Sequence, residues 1–226
     1  MSPSRSHIGG QRILKGTMEL EVSMPLGLFC GSHEHPGRRE DWRICGVHEQ
    51  VQGPTSPSLW TPPTSGLFKL NFDGGRLREL GWGWGFVVRN SNGEVVMAGV
   101  QQGWGFAGSE VEEARACIFG LKTATEAGFT NLVLEGDYLP LIQKLKNKQV
   151  PNNTLGFFIR EILRLVSFCN FFAWSFVERG GNRAAHDLAH WQPFCSSSKV
   201  WDVAFPDGLT ARAADDMYEV SNAQLI

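Results

Sequence analysis

A basic excess is missing from this sequence. Its 21 lysines and arginines are outnumbered by 23 aspartates and glutamates, for a formal net charge of −2. Sequence-independent polyanion binders draw much of their affinity from neutralising phosphates, so any nucleic-acid function has to rest on a local site. Cysteine is sparse too. Cys30, Cys45, Cys117, Cys169 and Cys195 make an odd count with no dense framework. That argues against a disulfide scaffold and for reduced thiols in an intracellular protein, with nucleus and cytosol both compatible. No apolar run reaches the roughly 18 residues of a membrane span. The most apolar stretch, 155–174, is interrupted by Arg160, Glu161 and Arg164. Residues 1–15 are polar and lack the apolar core of a secretory signal. No internal repeat is present.

What remains is a chain of 226 residues, 42% hydrophobic and 19% charged, the profile of a globular protein large enough to bury a core. Residues 1–58 show no sustained periodicity and read as a disordered N-terminal tail, closed by the linker-like Gly53-Pro54-Thr55-Ser56-Pro57-Ser58. The tail carries Cys30-x-x-His33, His35 and Cys45-x-x-His48. Paired thiolate and imidazole ligands at that spacing suit one structural zinc, so a small interaction knot stands as the alternative to disorder. One folded domain is expected over 59–209, followed by a C-terminal tail, 210–226.

Within the domain, Phe68, Leu70 and Phe72 alternate with Lys69, Asn71 and Asp73, the period of a half-buried strand. A second strand is expected over 83–89, then a tight turn at Asn90-Ser91-Asn92-Gly93, then a third strand over 94–100. The period then becomes helical. Ser109 and Glu112 fit a capping box, and Val111, Ala114, Ile118 and Leu121 form one face that ends near Gly128. A short strand at 131–135, helices opened by Pro140 and by residue 155, a fifth strand at 171–178 and a last helix at 182–191 follow. The expected fold is α/β: a five-stranded mixed sheet in the order β-β-β-α-β-α-α-β-α, with helices on its faces.

Three carboxylates stand out in that order. Asp73 ends the first strand, Asp137 follows the fourth, and Glu113 lies in the first turns of the long helix. Sites of open α/β sheets lie beyond strand ends at the topological switch point, so neighbouring first and fourth strands would bring the two aspartates together. Clustered carboxylates repel one another unless a cation neutralises them, and hard oxygen ligands select Mg²⁺ or Mn²⁺. Two such ions about 4 Å apart activate a water and stabilise a leaving oxygen in phosphodiester cleavage. Each residue also has an ordinary reading. Asp before Gly-Gly forms turns, Asp137 suits a helix N-cap, and Glu113 answers a helix dipole.

The sequence resembles the ribonuclease H-like domains of plants, related to the ribonuclease H part of retroelement polyproteins. The resemblance is carried by Trp60-Thr61-Pro62-Pro63 with Lys69-Leu70-Asn71-Phe72-Asp73-Gly74, by residues 83–93, by Glu112-Glu113-Ala114-Arg115-Ala116 with Gly120-Leu121, by Leu134-Glu135-Gly136-Asp137, and by Asn182-Arg183-Ala184-Ala185-His186-Asp187-Leu188-Ala189. The order and gaps hold over about 130 residues. What the resemblance implies is an endoribonuclease that hydrolyses the RNA strand of RNA/DNA hybrids with two Mg²⁺ (or Mn²⁺) ions. Asp73, Glu113 and Asp137 are then the metal ligands, with Glu112 a weaker candidate than Glu113. His186 stands where most of the family has aspartate. Imidazole is a poor Mg²⁺ ligand but can accept a proton; a partly buried structural histidine is the plainer reading, and Asp187 the weaker substitute. Asn71, Gly74, Ser109, Arg179 and Asn182 are expected to contact substrate. Trp82, Trp84 and Trp104 either stack on bases or sugars or belong to the core. The same fold used only to bind nucleic acid is the competing expectation.

Overall fold

A computed structural model describes residues 59–77, 81–104, 107–191 and 198–223 of the chain. The proposed zinc ligands Cys30, His33, His35, Cys45 and His48 lie outside them. Among the described residues, no helix is long and apolar enough to cross a membrane.

Three antiparallel strands come first: β1 (Phe68–Arg76), β2 (Gly81–Arg89) and β3 (Val95–Trp104). Helix α1 (Ser109–Glu126) leads to β4 (Asn131–Gly136), α2 (Leu139–Lys146), α3 (Thr154–Val166) and β5 (Phe171–Phe176). A 3-10 turn, Arg179–Asn182, opens α4 (Arg183–Ala189), and β6 (Ser198–Trp201) and α5 (Asp207–Ala223) complete the order. The sheet is mixed, in the order β5-β4-β1-β2-β3-β6, with β4 parallel to both β1 and β5. It has six strands rather than the expected five. The addition is β6, which pairs antiparallel with the free edge of β3. Four residues around Lys199 and Trp201 are too short a run to signal a strand by period alone.

The half-buried reading of β1 is corrected. Its apolar side, Leu70 and Phe72, packs with α1, α2 and α3 in the larger core. Its polar side is equally enclosed: Lys69 is 5% exposed, and Asn71 and Asp73 are 0%. The reason is that β1 is central and both faces are covered, with α4 and α5 on the second face beside Val87, Ala98, Val100 and Trp201. Buried polar groups call for partners, and Lys69 and Asn71 have them. Lys69 meets Glu135 at 2.9 Å. Asn71 accepts from Trp60 Nε1 at 2.9 Å and donates to Glu135 at 3.0 Å.

The chain beyond Leu209, read from sequence as a tail, continues in α5. Leu209, Ala213, Asp216 and Val220 are buried there, and Asp216 reaches the fully buried Arg89 at 2.7 Å. Arg89 in turn lies over the ring of Trp60, 3.6 Å from its centre. The polar pattern of α5 hides this, since its buried face depends on a charge partner 127 residues away.

The capping box is also corrected. Gly108, at φ +106°, is the N-cap of α1, and Ser109 is already helical. Glu112 does not return to the N-cap; its carboxylate accepts from Trp84 Nε1 at 3.0 Å and from the Ala107 amide at 3.2 Å.

Candidate metal and nucleic-acid site

Register brings the first two carboxylates to one level. In the parallel pair β1–β4, Asn71 stands opposite Glu135. Two residues further on, Asp137 follows the end of β4, whereas Asp73 does not end its strand as expected: β1 runs on to Arg76, paired with β2, and Asp73 stands opposite Gly85. Glu113 comes from α1, whose backbone crosses β1 so closely that a Cβ on Gly74 would sit 2.7 Å from the Glu112 carbonyl carbon. The Gly74 amide hydrogen-bonds the Glu113 carboxyl. One oxygen from each of Asp73, Glu113 and Asp137 lies within 4.8 Å of the others.

The fourth position arrives by a close approach. Helix α4 packs directly on β2, where a Cβ on Gly83 would fall 1.9 Å from the Ala189 carbonyl oxygen and one on Gly85 2.5 Å from the Ala189 amide. Seated there, α4 sets His186 Nδ1 3.0 Å from Asp73 Oδ2. Arg179, from the turn before α4, is 57% exposed and pairs with Asp137 through Nε at 2.5 Å. Its Nη1 lies 4.0 Å from Asp73 and also contacts His186.

The electrostatics match the crowding. Burial pushes the Glu113 carboxyl well above its ordinary value, with the charges of Asp73 and Asp137 adding to the effect, while Arg179 and the Gly74 amide oppose it. Burial also raises Asp137, to about 6, with Asp73 adding and Arg179 and Asn182 opposing. Asp73 Oδ1 and Glu113 Oε2 are buried with no hydrogen-bond partner among the described residues. Unpaired buried carboxylate oxygens are costly. A hard divalent cation is the species such a donor set fits.

The other expected residues divide by exposure. Ser109 is exposed at the start of α1 and Gly74 is half-buried. Asn182 is fully buried and donates to the Phe72 carbonyl at 3.0 Å and to Asp137 at 3.3 Å. Asn71 is likewise enclosed, so both asparagines act on the site from beneath. Glu112 faces Trp84 rather than the cluster, and exposed Asp187 pairs with Arg212 at 3.2 Å. Trp82 and Trp84 are core residues, whereas Trp104 is 80% exposed. His190 is the residue that sequence reasoning missed. Its signal was the spacing from His186, one helical turn.

A family model described as reverse transcriptase-like matches residues 71–192, just over half of the 226-residue chain. That span contains all four positions of the cluster. The chain belongs to the reverse transcriptase-like family. Among solved structures, it is similar to RNase H1 from the halophilic archaeon Halobacterium salinarum NRC-1, at 25% identity and a TM-score of 0.50, covering 55% of this chain and 95% of that one. An N-terminal RNase H domain from Mycobacterium tuberculosis, solved as a fusion with maltose-binding protein, matches at 21% identity and a TM-score of 0.49, covering 66% and 97%. LC11-RNase H1, solved in complex with an RNA/DNA hybrid, matches at 18% identity and a TM-score of 0.48, covering 54% and 92%. No curated protein sequence matches. The domain is ribonuclease H-like in fold, and its mixed sheet with helices on both faces is the expected architecture with one strand more.

Proposed function

We propose that this domain binds RNA/DNA hybrid and hydrolyses an RNA phosphodiester, leaving 5′-phosphate and 3′-hydroxyl ends. The observation that carries the reading is the trio Asp73, Glu113 and Asp137 within 4.8 Å, with two buried oxygens unpaired. Asp73, Glu113 and Asp137 would hold two Mg²⁺ (or Mn²⁺) ions. When bound, such ions activate a water and neutralise the leaving oxygen. The chain's own groups do the rest. Arg179, forked and exposed beside the cluster, suits a phosphate oxygen. His186 turns Nδ1 to the Asp73 carboxylate, which only accepts, and can take a proton at Nε2. Gly74 and Ser109 offer contacts to the 2′-hydroxyls that distinguish RNA from DNA. Asn71 and Asn182 act as positioning residues.

The deciding experiment is incubation of purified protein with labelled RNA/DNA hybrid in Mg²⁺ or Mn²⁺, with Asp73→Asn alongside. Metal-dependent cutting of the RNA strand, lost in the variant, supports the reading. A second reading, a nucleic-acid-binding module without useful catalysis, is favoured by one observation: the fourth position is an imidazole already engaged by Arg179. Hybrid binding without cutting, with activity appearing in His186→Asp, would establish it.

A further inference from the structure

We propose that Asp73, His186 and His190 form a distinct cation site that takes a nitrogen-preferring divalent metal, zinc being the type. Ligand atoms of the three residues lie within 4.8 Å of one another. His186 and His190 stand one helical turn apart on α4, with ring centres 4.1 Å apart. Residues at that spacing share one face of a helix. Asp73 adds a carboxylate that is 0% exposed and has one oxygen unpartnered.

A second observation points the same way. His190 Nδ1 lies 2.9 Å from the His186 carbonyl oxygen. A carbonyl only accepts, so Nδ1 carries the hydrogen and Nε2 is left with its lone pair free. Fixing the tautomer through a backbone carbonyl is how proteins prepare an imidazole for a metal. The ring also has a built seat: a Cβ on Gly75 would fall 2.5 Å from its Cε1, so only glycine on β1 leaves room for it. Two imidazoles and one carboxylate favour zinc, cobalt or nickel over magnesium, which prefers oxygen ligands. Arg179, 57% exposed, contacts His186 and pairs with Asp137, so entry of an ion requires its guanidinium to give up the His186 contact. The site shares Asp73 and His186 with the proposed catalytic set, and only His190 is its own, but it does not need the nuclease reading, because α4 over β1 creates it.

The test is titration of the full chain with Co²⁺ alone, followed by displacement with Zn²⁺. A site of nitrogen and oxygen ligands gives weak visible bands without thiolate charge transfer, which separates it from any ion held by cysteines. We expect one such ion per chain, with affinity reduced about tenfold or more in His190→Asn. His190 is exposed, so the variant should melt as the parent does. In His190→Cys a thiolate charge-transfer band should appear. Unchanged Co²⁺ spectrum and affinity in His190→Asn, or no new band in His190→Cys, would overturn the proposal. Hybrid cleavage in Mg²⁺ is measured on the same preparation. Cutting without a nitrogen-ligated ion overturns this inference alone, and a nitrogen-ligated ion without cutting supports it while overturning the nuclease reading.

Discussion

Asn71 and Asn182, 111 residues apart in sequence, share a hydrogen bond of 3.2 Å beneath the acidic cluster. Through it the centre of β1 is tied to the start of α4. Asn182 carries the link on to Asp137, and Asn71 carries it back to Arg89 at 3.3 Å and so to α5. The floor of the site is therefore a polar network continuous with the C-terminal helix. Such networks hold a geometry to the extent that their members are satisfied, and in this one Arg89 Nε has no hydrogen-bond partner among the described residues.

Asp73 stands at the middle of both ligand sets. Asp73→Asn should lower hybrid cleavage by on the order of a hundredfold or more, with hybrid binding largely kept, as read by cleavage and gel-shift assays on one substrate. Equal loss of cutting and binding would make Asp73 a structural residue.

The raised Asp137 carboxyl predicts a pH dependence of stability. Its folded-state value of about 6 lies above the ordinary 3.8, so protonation favours the fold. This contribution is complete below the unfolded value and is lost as pH rises through about 6. In EDTA, the protein should melt at a lower temperature near pH 7.5 than near pH 5. Asp137→Asn should narrow that gap, and so should saturating Mg²⁺. A gap unchanged by Asp137→Asn contradicts the assignment.

Asp216 neutralises an arginine that is otherwise sealed in the core. Asp216→Ala leaves Arg89 buried at 0% exposure and should cost about 3–5 kcal/mol, measured by urea unfolding. A loss below about 1 kcal/mol would mean that α5 is not integral to the domain.

The seat of α4 on β2 allows no side chain at Gly83. Gly83→Ala must displace the Ala189 carbonyl, with an expected cost of about 1–3 kcal/mol and a larger fall in cleavage than in stability would explain, since His186 moves with the helix. Thermal melts and cleavage rates on the same protein check both. Full activity in Gly83→Ala would show that the approach is looser than drawn.

Hydrophobic periodicity and turn chemistry made much of this protein legible in advance. The alternation of β1, the Asn90–Gly93 turn, the amphipathic face of α1 and the apolar run of β4 each record a local preference, because backbone conformation and side-chain direction repeat with short periods. From these came the mixed sheet, its helices and the prospect that Asp73 and Asp137 meet at one end. Four things were decided only in three dimensions. Burial of the polar side of β1 required α4 and α5 to close over it. Recruitment of α5 required Asp216 to find Arg89, and β6 needed the open edge of β3. His186 and His190 acquired their place above Asp73 only because Gly83 and Gly85 let the helix come down onto the sheet. Local patterns cannot encode such outcomes, since each depends on which distant surfaces meet and on whether their buried charges find partners there.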